Sequence, residues 1–491
     1  MNRYLVCSSP KIAWRTSVIL ALALHVAFGQ TKVERIDQFM SLCYEYGQFN
    51  GSVLVADKGE VIYKKGFGFA DMEWEIPNQP DTRFRLGSVT KAFTAMLVLQ
   101  LVQRGKLKLD GKITDYLPDY PKRQGNRVSI HQLLTHTSGI PDYGEFPNYR
   151  DLSRNPFAPE LLIKLFADST LQFEPGSKFS YSNSGYFLLG MIIERVTGKP
   201  YEQVLQENIL NPLNMMNSGY DHQDTILKKR ARGYEKKASL YVNAPYLDMS
   251  LPYSAGSLFS TVEDLYLWDQ ALYSDKLLPK QTRDYMFRSY VPAYSKWYGY
   301  GWVIGRDAIG NSSDSAIVIE HGGTISGFSA LISRIPSERD LLVFLSNTRP
   351  APFASMARAI RGILYDKPYD LPKRSIAEAV FSWIEEEGIA AALVRYRELQ
   401  GRHDTTYALY EDQMNQVGYR LLRSRKTVEA IEAFKLNVEA FPKSSNVYES
   451  LGEAYLVHGD NELAISNYWK CLELDSTKAY AAEALRRLLA K

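Results

Sequence analysis

Apolar residues occupy almost every position between residues 92 and 102. A helix that is apolar on nearly all sides is buried in a core, so this run predicts a buried helix. Gly105 lies where such a helix would end. At the other end, Ser88 and Lys91 are three residues apart, which places both side chains on one face of the first turn.

Strand-like runs lie on both sides of a helix-rich middle. Residues 51–69 contain two β-rich runs around the turn Asp57-Lys-Gly59, which predicts a hairpin. Further strands are predicted at 299–305, 316–320, 321–328, 329–335 and 341–346, and helices at 33–46, 186–196 and 353–364. The pattern predicts an α+β domain, in which one antiparallel sheet is assembled from both ends of the domain and flanked by helices, with an all-helical subdomain.

The last 120 residues change to helix after helix. Three pairs of positions repeat at an offset of 34 residues: Gly418 and Gly452, Ala430 and Ala464, Phe434 and Tyr468. This period and residue pattern closely resemble the tetratricopeptide repeat. Residues 376–399 predict a further helical pair, and residues 480–489 predict a capping helix. The expected organisation is therefore a domain at 30–366, a linker at 367–374 and an α-helical repeat domain at 375–491.

Residues 1–29 have the pattern of a signal peptide. Arg3, Lys11 and Arg15 supply positive charge, an apolar run covers 18–28, and Ala27-Phe-Gly29 forms a small-residue cleavage site. The sequence thus predicts a periplasmic or secreted protein without a membrane span after cleavage. An uncleaved anchor is the alternative, although the apolar run is short for a bilayer.

Composition excludes some function classes. The 491 residues carry a formal net charge of +3, which supports neither nucleic-acid binding nor attraction to a membrane surface. Apolar and charged contents of 45% and 23% are those of a soluble globular protein. Beyond the signal peptide, Cys43 and Cys471 are too far apart in sequence to indicate a disulfide scaffold.

The residue types at Ser88 and Lys91 indicate chemistry. A hydroxyl beside a lysine at the start of a buried helix can become a nucleophile without histidine, and S-x-x-K is the pattern of serine acyl-enzymes. The structural alternative is that Ser88 only caps the helix. A second S-x-x-K, at Ser8 to Lys11, falls inside the predicted signal peptide.

Two further short motifs follow Ser88 in the chain. They are Tyr181-Ser-Asn183 and His321-Gly-Gly323. In this order, the three motifs resemble those of the serine β-lactamase and penicillin-binding-protein superfamily over about residues 36–365. The resemblance is greatest to the class C β-lactamase-like branch, in which tyrosine replaces the first serine of the second motif. Another Y-x-N, at Tyr241 to Asn243, lacks these flanks.

The resemblance implies a fold of the β-lactamase/transpeptidase type and three catalytic roles. Ser88 would attack an acyl carbon and form an acyl-enzyme. Lys91 would lower the free energy needed to remove the Ser88 proton. Tyr181 would act as general base, which requires nearby cations such as Lys91 to stabilise a phenolate.

The resemblance also implies a substrate-binding and oxyanion set. Asn183 would orient substrate amides, and the backbone N–H groups of Ser88 and Thr324 would form the oxyanion hole. His321, Gly322 and Gly323 would lie on the same strand as Thr324 and belong to the same substrate-binding set. No cofactor and no metal is implied.

His321 departs from the family pattern, which usually has lysine there. Lysine holds a fixed positive charge for a substrate carboxylate, whereas histidine is mostly neutral above about pH 6.5. The departure favours an ester, an amide or a D-amino-acid peptide over a β-lactam. The structural alternative is that His321 has a hydrogen-bonding role only.

Other reaction classes lack their motifs. His131 and His136 do not form an H-E-x-x-H zinc pattern, no G-x-S-x-G elbow is present, and no glycine-rich phosphate loop occurs. The sequence therefore predicts an exported serine hydrolase that acts on a small-molecule or peptide substrate, with a possible protein or peptide partner for the repeats. The alternative is a non-catalytic penicillin-recognising or repeat-based scaffold or sensor.

Overall fold

A computed structural model describes residues 30–237, 240–402 and 405–490. The predicted signal peptide at 1–29 lies outside the described residues. Within the described part, no helix combines the length and the apolar character needed to cross a membrane.

Eight antiparallel strands form the central sheet. In chain order they are β1 (Gly51–Asp57), β2 (Glu60–Phe67), β3 (Val291–Ala293), β4 (Lys296–Tyr298), β5 (Val303–Ala308), β6 (Ser315–Ile325), β7 (Phe328–Ile335) and β8 (Asp340–Ser346). Their spatial order across the sheet is β3-β4-β5-β6-β7-β8-β1-β2. β1 pairs with β8, with Val53 opposite Phe344. The prediction of an antiparallel sheet assembled from both ends of the domain is confirmed.

The described part of this domain contains five longer helices, some packed on the sheet and others on neighbouring helices. They are α1 (Lys32–Glu45), α2 (Thr90–Gln103), α3 (Asn183–Thr197), α4 (Val262–Ala271) and α5 (Phe353–Leu364). Shorter helices lie mainly between α2 and α4, at Ile113–Tyr116, Lys122–Gly125, Ile130–Leu134, Tyr149–Leu152, Pro159–Leu162, Tyr201–Leu205, Asn211–Leu213 and Tyr253–Gly256, with Lys280–Arg283 after α4. The helix-rich middle of the domain is therefore present as predicted.

The sheet has a hydrophobic core on each face. Val53 and Val55 of β1 belong to the core that contains α1 and α5, whereas Leu54 and Ala56 belong to the larger core around α2. Alternate residues of a strand point to opposite faces, so an uninterrupted apolar strand is buried on both sides. The domain is thus layered as helices, sheet and helices.

Helix α2 is the buried helix that the apolar run predicts. Every residue from Thr90 to Leu101 is buried, and Phe93 stacks on Trp268 of α4 with ring centroids 4.2 Å apart. Gly105 follows the helix with a φ of +68°, a conformation that suits glycine. The first turn differs from the prediction, since Ser88 lies in a 3₁₀ turn at Gly87–Val89 just before α2.

The predicted strand at 299–305 is wrong over its first half. β4 ends at Tyr298 and β5 begins at Val303. Between them, the Gly299 N–H donates to the Trp302 carbonyl oxygen at 2.7 Å, and Gly301 has a φ of +76°. The glycines therefore form a turn. The runs predicted separately at 316–320 and 321–328 instead form β6 and the turn after it.

Small sheets surround the main one. One contains Phe84–Arg85, Gly219–Tyr220 and Leu258–Ser260, and another contains Tyr234–Lys237, Leu240–Asn243 and Thr348–Arg349. Two-stranded pairs join Phe69–Asp71 to Ile76–Pro77, and Arg374–Ser375 to Tyr407–Ala408. The first two sheets border the segment that carries Ser88 and the cleft beside it.

The C-terminal region is helical, and its core is separate from the two cores of the sheet. Its helices are α6 (Ile376–Glu387), α7 (Ile389–Gly401), α8 (Glu411–Arg423), α9 (Thr427–Ala440), α10 (Ser445–His458), α11 (Asn461–Leu474) and α12 (Ala479–Leu489). A Cβ on Gly418 would lie 2.4 Å from the Phe434 ring, and a Cβ on Gly452 would lie 2.9 Å from the Tyr468 ring. The same glycine–aromatic packing thus recurs 34 residues later, while the tetratricopeptide assignment stays a prediction.

Ion pairs join the helical region to the rest of the chain. Lys236 Nζ lies 2.7 Å from Glu378 Oε1 of α6, and Arg374 pairs with Glu45 at 2.6 Å. The Gln48 side chain donates to the Lys373 carbonyl oxygen at 2.6 Å.

Cys43 and Cys471 are both buried and unpaired, in two different cores.

Replacement of Gly418 by alanine should destabilise the helical region. Phe434 is fully buried and cannot move away from the added Cβ, so we expect a loss of about 1–3 kcal/mol in the free energy of unfolding. Urea unfolding followed by circular dichroism measures the change. Gly401→Ala is the matched control, because nothing lies within 4 Å of its Cβ, and alanine favours a helix by up to about 1 kcal/mol. Equal stabilities of the two variants would contradict the packing described.

Candidate active site

The backbone around Ser88 lies against strand β6. Gly87 has a φ of +52°, and a Cβ there would lie 3.0 Å from the Thr324 nitrogen. A Cβ on Gly323 would lie 1.9 Å from the Leu86 carbonyl oxygen and 3.2 Å from the Ser88 nitrogen. The absence of side chains at both glycines therefore allows the two main chains to approach each other.

Lys91 is completely buried and bonds to three oxygens. Its Nζ lies 3.0 Å from Ser88 Oγ, 2.8 Å from Asn183 Oδ1 and 2.9 Å from the Ala255 carbonyl oxygen. The three oxygens come from different segments, namely the turn before α2, the first residue of α3 and the short helix at Tyr253–Gly256. Lys91 thus connects the first two sequence motifs with a third segment.

Burial lowers the pKa of Lys91 to about 7, because an ammonium ion loses its hydration in the core. The nearby Asp142 carboxylate acts in the opposite direction and raises it. A lysine that is half deprotonated near neutral pH can accept a proton, which a lysine with an ordinary pKa does far less readily.

The partners of Lys91 determine where its lone pair points. The Ala255 carbonyl and the Asn183 Oδ1 accept hydrogen bonds only, so they take both N–H groups of a neutral amine. The lone pair then faces the Ser88 hydroxyl. In the ammonium form, all three N–H groups donate and Ser88 Oγ accepts. Loss of one proton from Lys91 therefore reverses the direction of its hydrogen bond with Ser88, so that the Ser88 hydroxyl donates to Lys91 Nζ instead of accepting from it.

Asp142 orients Asn183, and the sequence analysis missed it. Its carboxylate accepts from the Asn183 side-chain nitrogen at 2.9 Å and from the Asn183 backbone N–H at 3.2 Å. This contact assigns the other amide atom, Oδ1, to Lys91. Asp142 follows Pro141 directly after the Leu133-to-Ile140 segment, but only the fold shows that this loop meets α3.

Tyr181 contacts both Lys91 and His136. Lys91 Nζ is 4.8 Å from the Tyr181 ring centroid, and the His136 ring stacks on Tyr181 with ring centroids 4.2 Å apart. Burial raises the pKa of Tyr181 well above its usual value, while hydrogen bonding with Ser88 lowers it in part. The direction of this pKa shift favours the neutral phenol over a phenolate.

His321 is buried, and both of its ring nitrogens have partners. Nε2 lies 3.0 Å from the Tyr298 hydroxyl, and Nδ1 lies 2.7 Å from the Gly322 carbonyl oxygen. Burial, with the charge of Lys91 as a smaller cause, lowers the pKa of His321 to about 3. His321 is thus neutral at physiological pH and does not supply the positive charge that lysine would.

A cleft of about 390 Å³ opens beside Ser88, with Asn183 and Thr324 also in its lining. Two cations, Arg150 and Arg349, and one carboxylate, Glu235, also line it, and both arginines are exposed to solvent, which places them near its rim. Arg349 and Glu235 are register partners in neighbouring parallel strands. Positive charge in the cleft therefore comes from arginines near the rim.

The fold brings the predicted site residues into one place. Ser88, Lys91, Tyr181 and Asn183 interact directly, and β6 carries His321, Gly322, Gly323 and Thr324 past Ser88. The separate Y-x-N at Tyr241 to Asn243 lies in a hairpin strand and supplies no residue to the cleft lining. Among the residues that the structure describes, no group of three or more His, Cys, Asp or Glu is placed to hold a metal ion.

A family model described as beta-lactamase matches residues 33–365, which is more than half of the chain. The chain therefore belongs to the beta-lactamase family, as the three motifs indicated. Its fold is that of beta-lactamases and penicillin-binding proteins.

Two relatives from Bacillus subtilis (strain 168) illustrate the similarity. Penicillin-binding protein 4* is 29% identical over 441 residues, covering 84% of this chain and 94% of the relative. The putative penicillin-binding protein PbpX is 32% identical over 316 residues, covering 64% and 74%. Among solved structures, the D-amino acid amidase from Ochrobactrum anthropi SV3 complexed with L-phenylalanine amide has a TM-score of 0.60 at 25% identity, covering 68% of this chain and 98% of the amidase.

Replacement of Gly323 by alanine should displace strand β6 next to Ser88, and with it the Thr324 backbone N–H that is expected to form part of the oxyanion hole. The added Cβ would meet the Leu86 carbonyl oxygen, so we expect kcat/KM for an activated ester to fall about 100-fold or more, the loss typical of one oxyanion donor. The matched variant Gly322→Ala should lose far less, because its Cβ has only the Ala330 carbonyl oxygen at 3.9 Å. Steady-state kinetics with both folded variants makes the comparison. Equal losses would contradict the close approach at Gly323.

Proposed function

We propose that this protein is an exported serine hydrolase that cleaves an ester or a peptide-like amide through a Ser88 acyl-enzyme. The observation that carries the proposal is the contact of 3.0 Å between Ser88 Oγ and a buried Lys91 whose pKa is about 7. A serine nucleophile needs an adjacent base with such a pKa. The membership of the beta-lactamase family supports it independently.

Acylation begins with transfer of the Ser88 proton to the lone pair of Lys91. Ser88 Oγ bonds to the carbonyl carbon, and the carbonyl π electrons move to its oxygen. Backbone N–H groups of Ser88 and Thr324 stabilise that oxyanion. When the oxyanion collapses, the bond to the leaving group breaks, and the leaving alcohol or amine receives a proton through the Tyr181 phenol, which Lys91 reprotonates. The products are an acyl-Ser88 ester and the free leaving group.

Deacylation repeats these steps with water as nucleophile. Water gives one proton to the Lys91–Tyr181 pair, its oxygen attacks the acyl carbon, and the proton returns to Ser88 Oγ as the ester bond breaks. The acid product leaves and the starting state is restored.

The expected role of Tyr181 changes in this proposal. The sequence analysis expected Tyr181 to be the general base, with Lys91 stabilising its phenolate. The pKa of Tyr181 is raised and that of Lys91 is lowered, so Lys91 is the group that can accept a proton near neutral pH. We therefore assign the base to Lys91 and proton transfer to the leaving group to Tyr181.

An extended substrate backbone fits along β6. β5 pairs with β6 only as far as Glu320, and no other strand in the described part of the chain pairs with this edge of residues 321–325. Unpaired strand groups can bond to an added extended chain. Asn183 borders the same cleft, where its amide can orient a substrate amide.

The neutral state of His321 favours an ester or amide over a β-lactam. A β-lactam carries a carboxylate that a buried, neutral imidazole does not attract, whereas an amide needs no charge at that position. The similar D-amino acid amidase supports an amide of this kind. Arg349 remains available for an anionic group near the rim of the cleft.

Export and the helical region complete the proposal. The charged, apolar and small-residue pattern of residues 1–29 supports export to the periplasm or the medium. The 34-residue period supports a tetratricopeptide-like role for the C-terminal helices, either in binding a protein or peptide or in packing against the hydrolase domain. The ion pair of Lys236 with Glu378 favours packing.

The pH dependence of kcat/KM distinguishes the two candidate bases. If neutral Lys91 is the base, activity is low while Lys91 is an ammonium ion and rises as pH increases through about 7. Below pH 6, kcat/KM should then fall about tenfold per pH unit, as for a single ionisation. Initial rates between pH 5 and 9 with an activated ester measure this limb. A decrease in activity above pH 7 would instead support a phenolate that depends on the Lys91 charge.

Intact-mass spectrometry tests the acyl-enzyme. Wild type and Ser88→Ala are each exposed to p-nitrophenyl acetate and, separately, to benzylpenicillin. We expect ester turnover with an acyl adduct on wild type only, and a penicillin adduct that forms slowly or not at all. A persistent penicillin adduct would favour the penicillin-binding side of the family. Wild-type turnover retained by Ser88→Ala would refute the mechanism, and inertness towards both probes would favour a scaffold.

A further inference from the structure

We propose that His136, Tyr298 and His321 act as a positioning chain that holds the Tyr181 phenol and the strand at residues 322–324 at the spacing that acylation of Ser88 requires. This inference rests on the proposed hydrolase function. It assigns roles to His136 and Tyr298, for which the sequence analysis gave no function, and changes the role of His321.

The three side chains form a continuous hydrogen-bonded row. His136 Nε2 lies 3.2 Å from the Tyr298 hydroxyl, and the same hydroxyl lies 3.0 Å from His321 Nε2. His136, Tyr298 and His321 are 1%, 0% and 4% exposed, so water does not compete for these contacts. Buried hydrogen bonds restrict the geometry of their groups, and Tyr186, which also interacts with the Tyr298 hydroxyl, is itself buried.

The outer contacts of the row fix the direction of every hydrogen bond. The Ser182 backbone N–H donates to His136 Nδ1 at 3.0 Å, so His136 carries its proton on Nε2 and donates to Tyr298. The Gly322 carbonyl can only accept, so His321 carries its proton on Nδ1. His321 Nε2 must then accept from the Tyr298 hydroxyl. Both histidines are neutral in this arrangement, and each donor meets one acceptor.

The row connects the second and third sequence motifs. At one end, His136 accepts from the backbone of Ser182 and stacks on Tyr181 with ring centroids 4.2 Å apart. At the other end, His321 is the first residue of the strand segment that passes Ser88. Tyr298, at the end of β4, joins the two. A change in the length of this row would move Tyr181 relative to the oxyanion hole.

The surrounding charges are consistent with a neutral row. The titratable groups that act on it are Lys91 from α2, Tyr181 and Tyr186 from the second-motif segment, and Tyr294 from the β3–β4 turn. Lys91 is the cation among them, and its charge disfavours a proton on either histidine. A role as proton acceptor during turnover therefore does not suit the histidines, whereas a positioning role does.

A second tyrosine–histidine pair provides a matched control. The Tyr300 hydroxyl lies 2.8 Å from His131 Nδ1, and Tyr300 is 1% exposed. His131 and Tyr300 line a different cavity from that of Ser88. Tyr300→Phe thus removes a buried tyrosine hydroxyl that is bonded to a histidine, as Tyr298→Phe does. It lies two residues further along the chain and leaves the row of His136, Tyr298 and His321 intact.

The test compares wild type, Tyr298→Phe and Tyr300→Phe with p-nitrophenyl acetate. For Tyr298→Phe we expect kcat to fall about 10- to 100-fold with KM within about threefold, because misplacement of reacting groups acts on the transition state. Tyr300→Phe should retain kcat within about twofold of wild type, although its melting temperature should decrease about as much as that of Tyr298→Phe. Unchanged kcat in Tyr298→Phe, or equal losses of kcat in both variants, would overturn the proposal.

Nitrogen-15 spectra of histidine-labelled protein provide a readout that needs no turnover. His136 and His321, assigned with His136→Gln and His321→Gln, should each show one neutral tautomer from pH 5 to 8, protonated on Nε2 and Nδ1 respectively. In Tyr298→Phe the Nε2 resonances of both histidines should shift, because each Nε2 loses its hydroxyl partner, while the tautomers set by Ser182 and Gly322 should persist. Unshifted Nε2 resonances in this variant would contradict the row. Titration of either histidine in wild type would overturn the row. If wild type neither turns over the ester nor forms a Ser88 adduct, the hydrolase function fails, and these spectra alone decide whether the row exists.

Discussion

The rest of the site depends on a lysine amine enclosed in the protein core. Removal of an ammonium ion from water is unfavourable unless hydrogen bonds replace its hydration. The Lys91 amine meets this demand with oxygens from Ser88, Asn183 and Ala255, which lie far apart in sequence. Each of the three segments must therefore be in place before Lys91 is stable inside. The same burial lowers the Lys91 pKa towards neutrality, so one constraint shapes both the fold and the chemistry.

The sequence predicted those parts of the fold that local pattern determines. The buried helix, the hairpin at β1 and β2 and the helix Phe353–Leu364 follow from runs of apolar residues, and the structure confirms them. The turn at residues 299–302 was predicted as strand, because aromatic residues between glycines resemble a strand until the Gly301 backbone conformation is known. The periodicity of apolar residues therefore predicts which segments are buried, but it does not predict where the backbone turns.

The candidate site was predictable only as far as its motifs extend. Ser88, Lys91, Tyr181 and Asn183 stand in recognisable short patterns, and the fold brings them together. Asp142 has no such pattern, since its role arises from a contact with α3 across 41 residues of sequence. Tertiary contacts of this kind leave no mark on the surrounding residues.

The charge at position 321 and the pKa of Lys91 belong to one electrostatic arrangement. Lys91 lowers the pKa of His321, and a permanent cation at 321 would in turn lower that of Lys91, because like charges disfavour each other. A lysine at 321 would then make Lys91 a weaker base and would break the row through Tyr298, since an ammonium group cannot accept a hydrogen bond. The neutral imidazole avoids both effects. The departure from the family pattern thus suits a site in which Lys91 accepts the proton and the arginines at the rim meet any substrate charge.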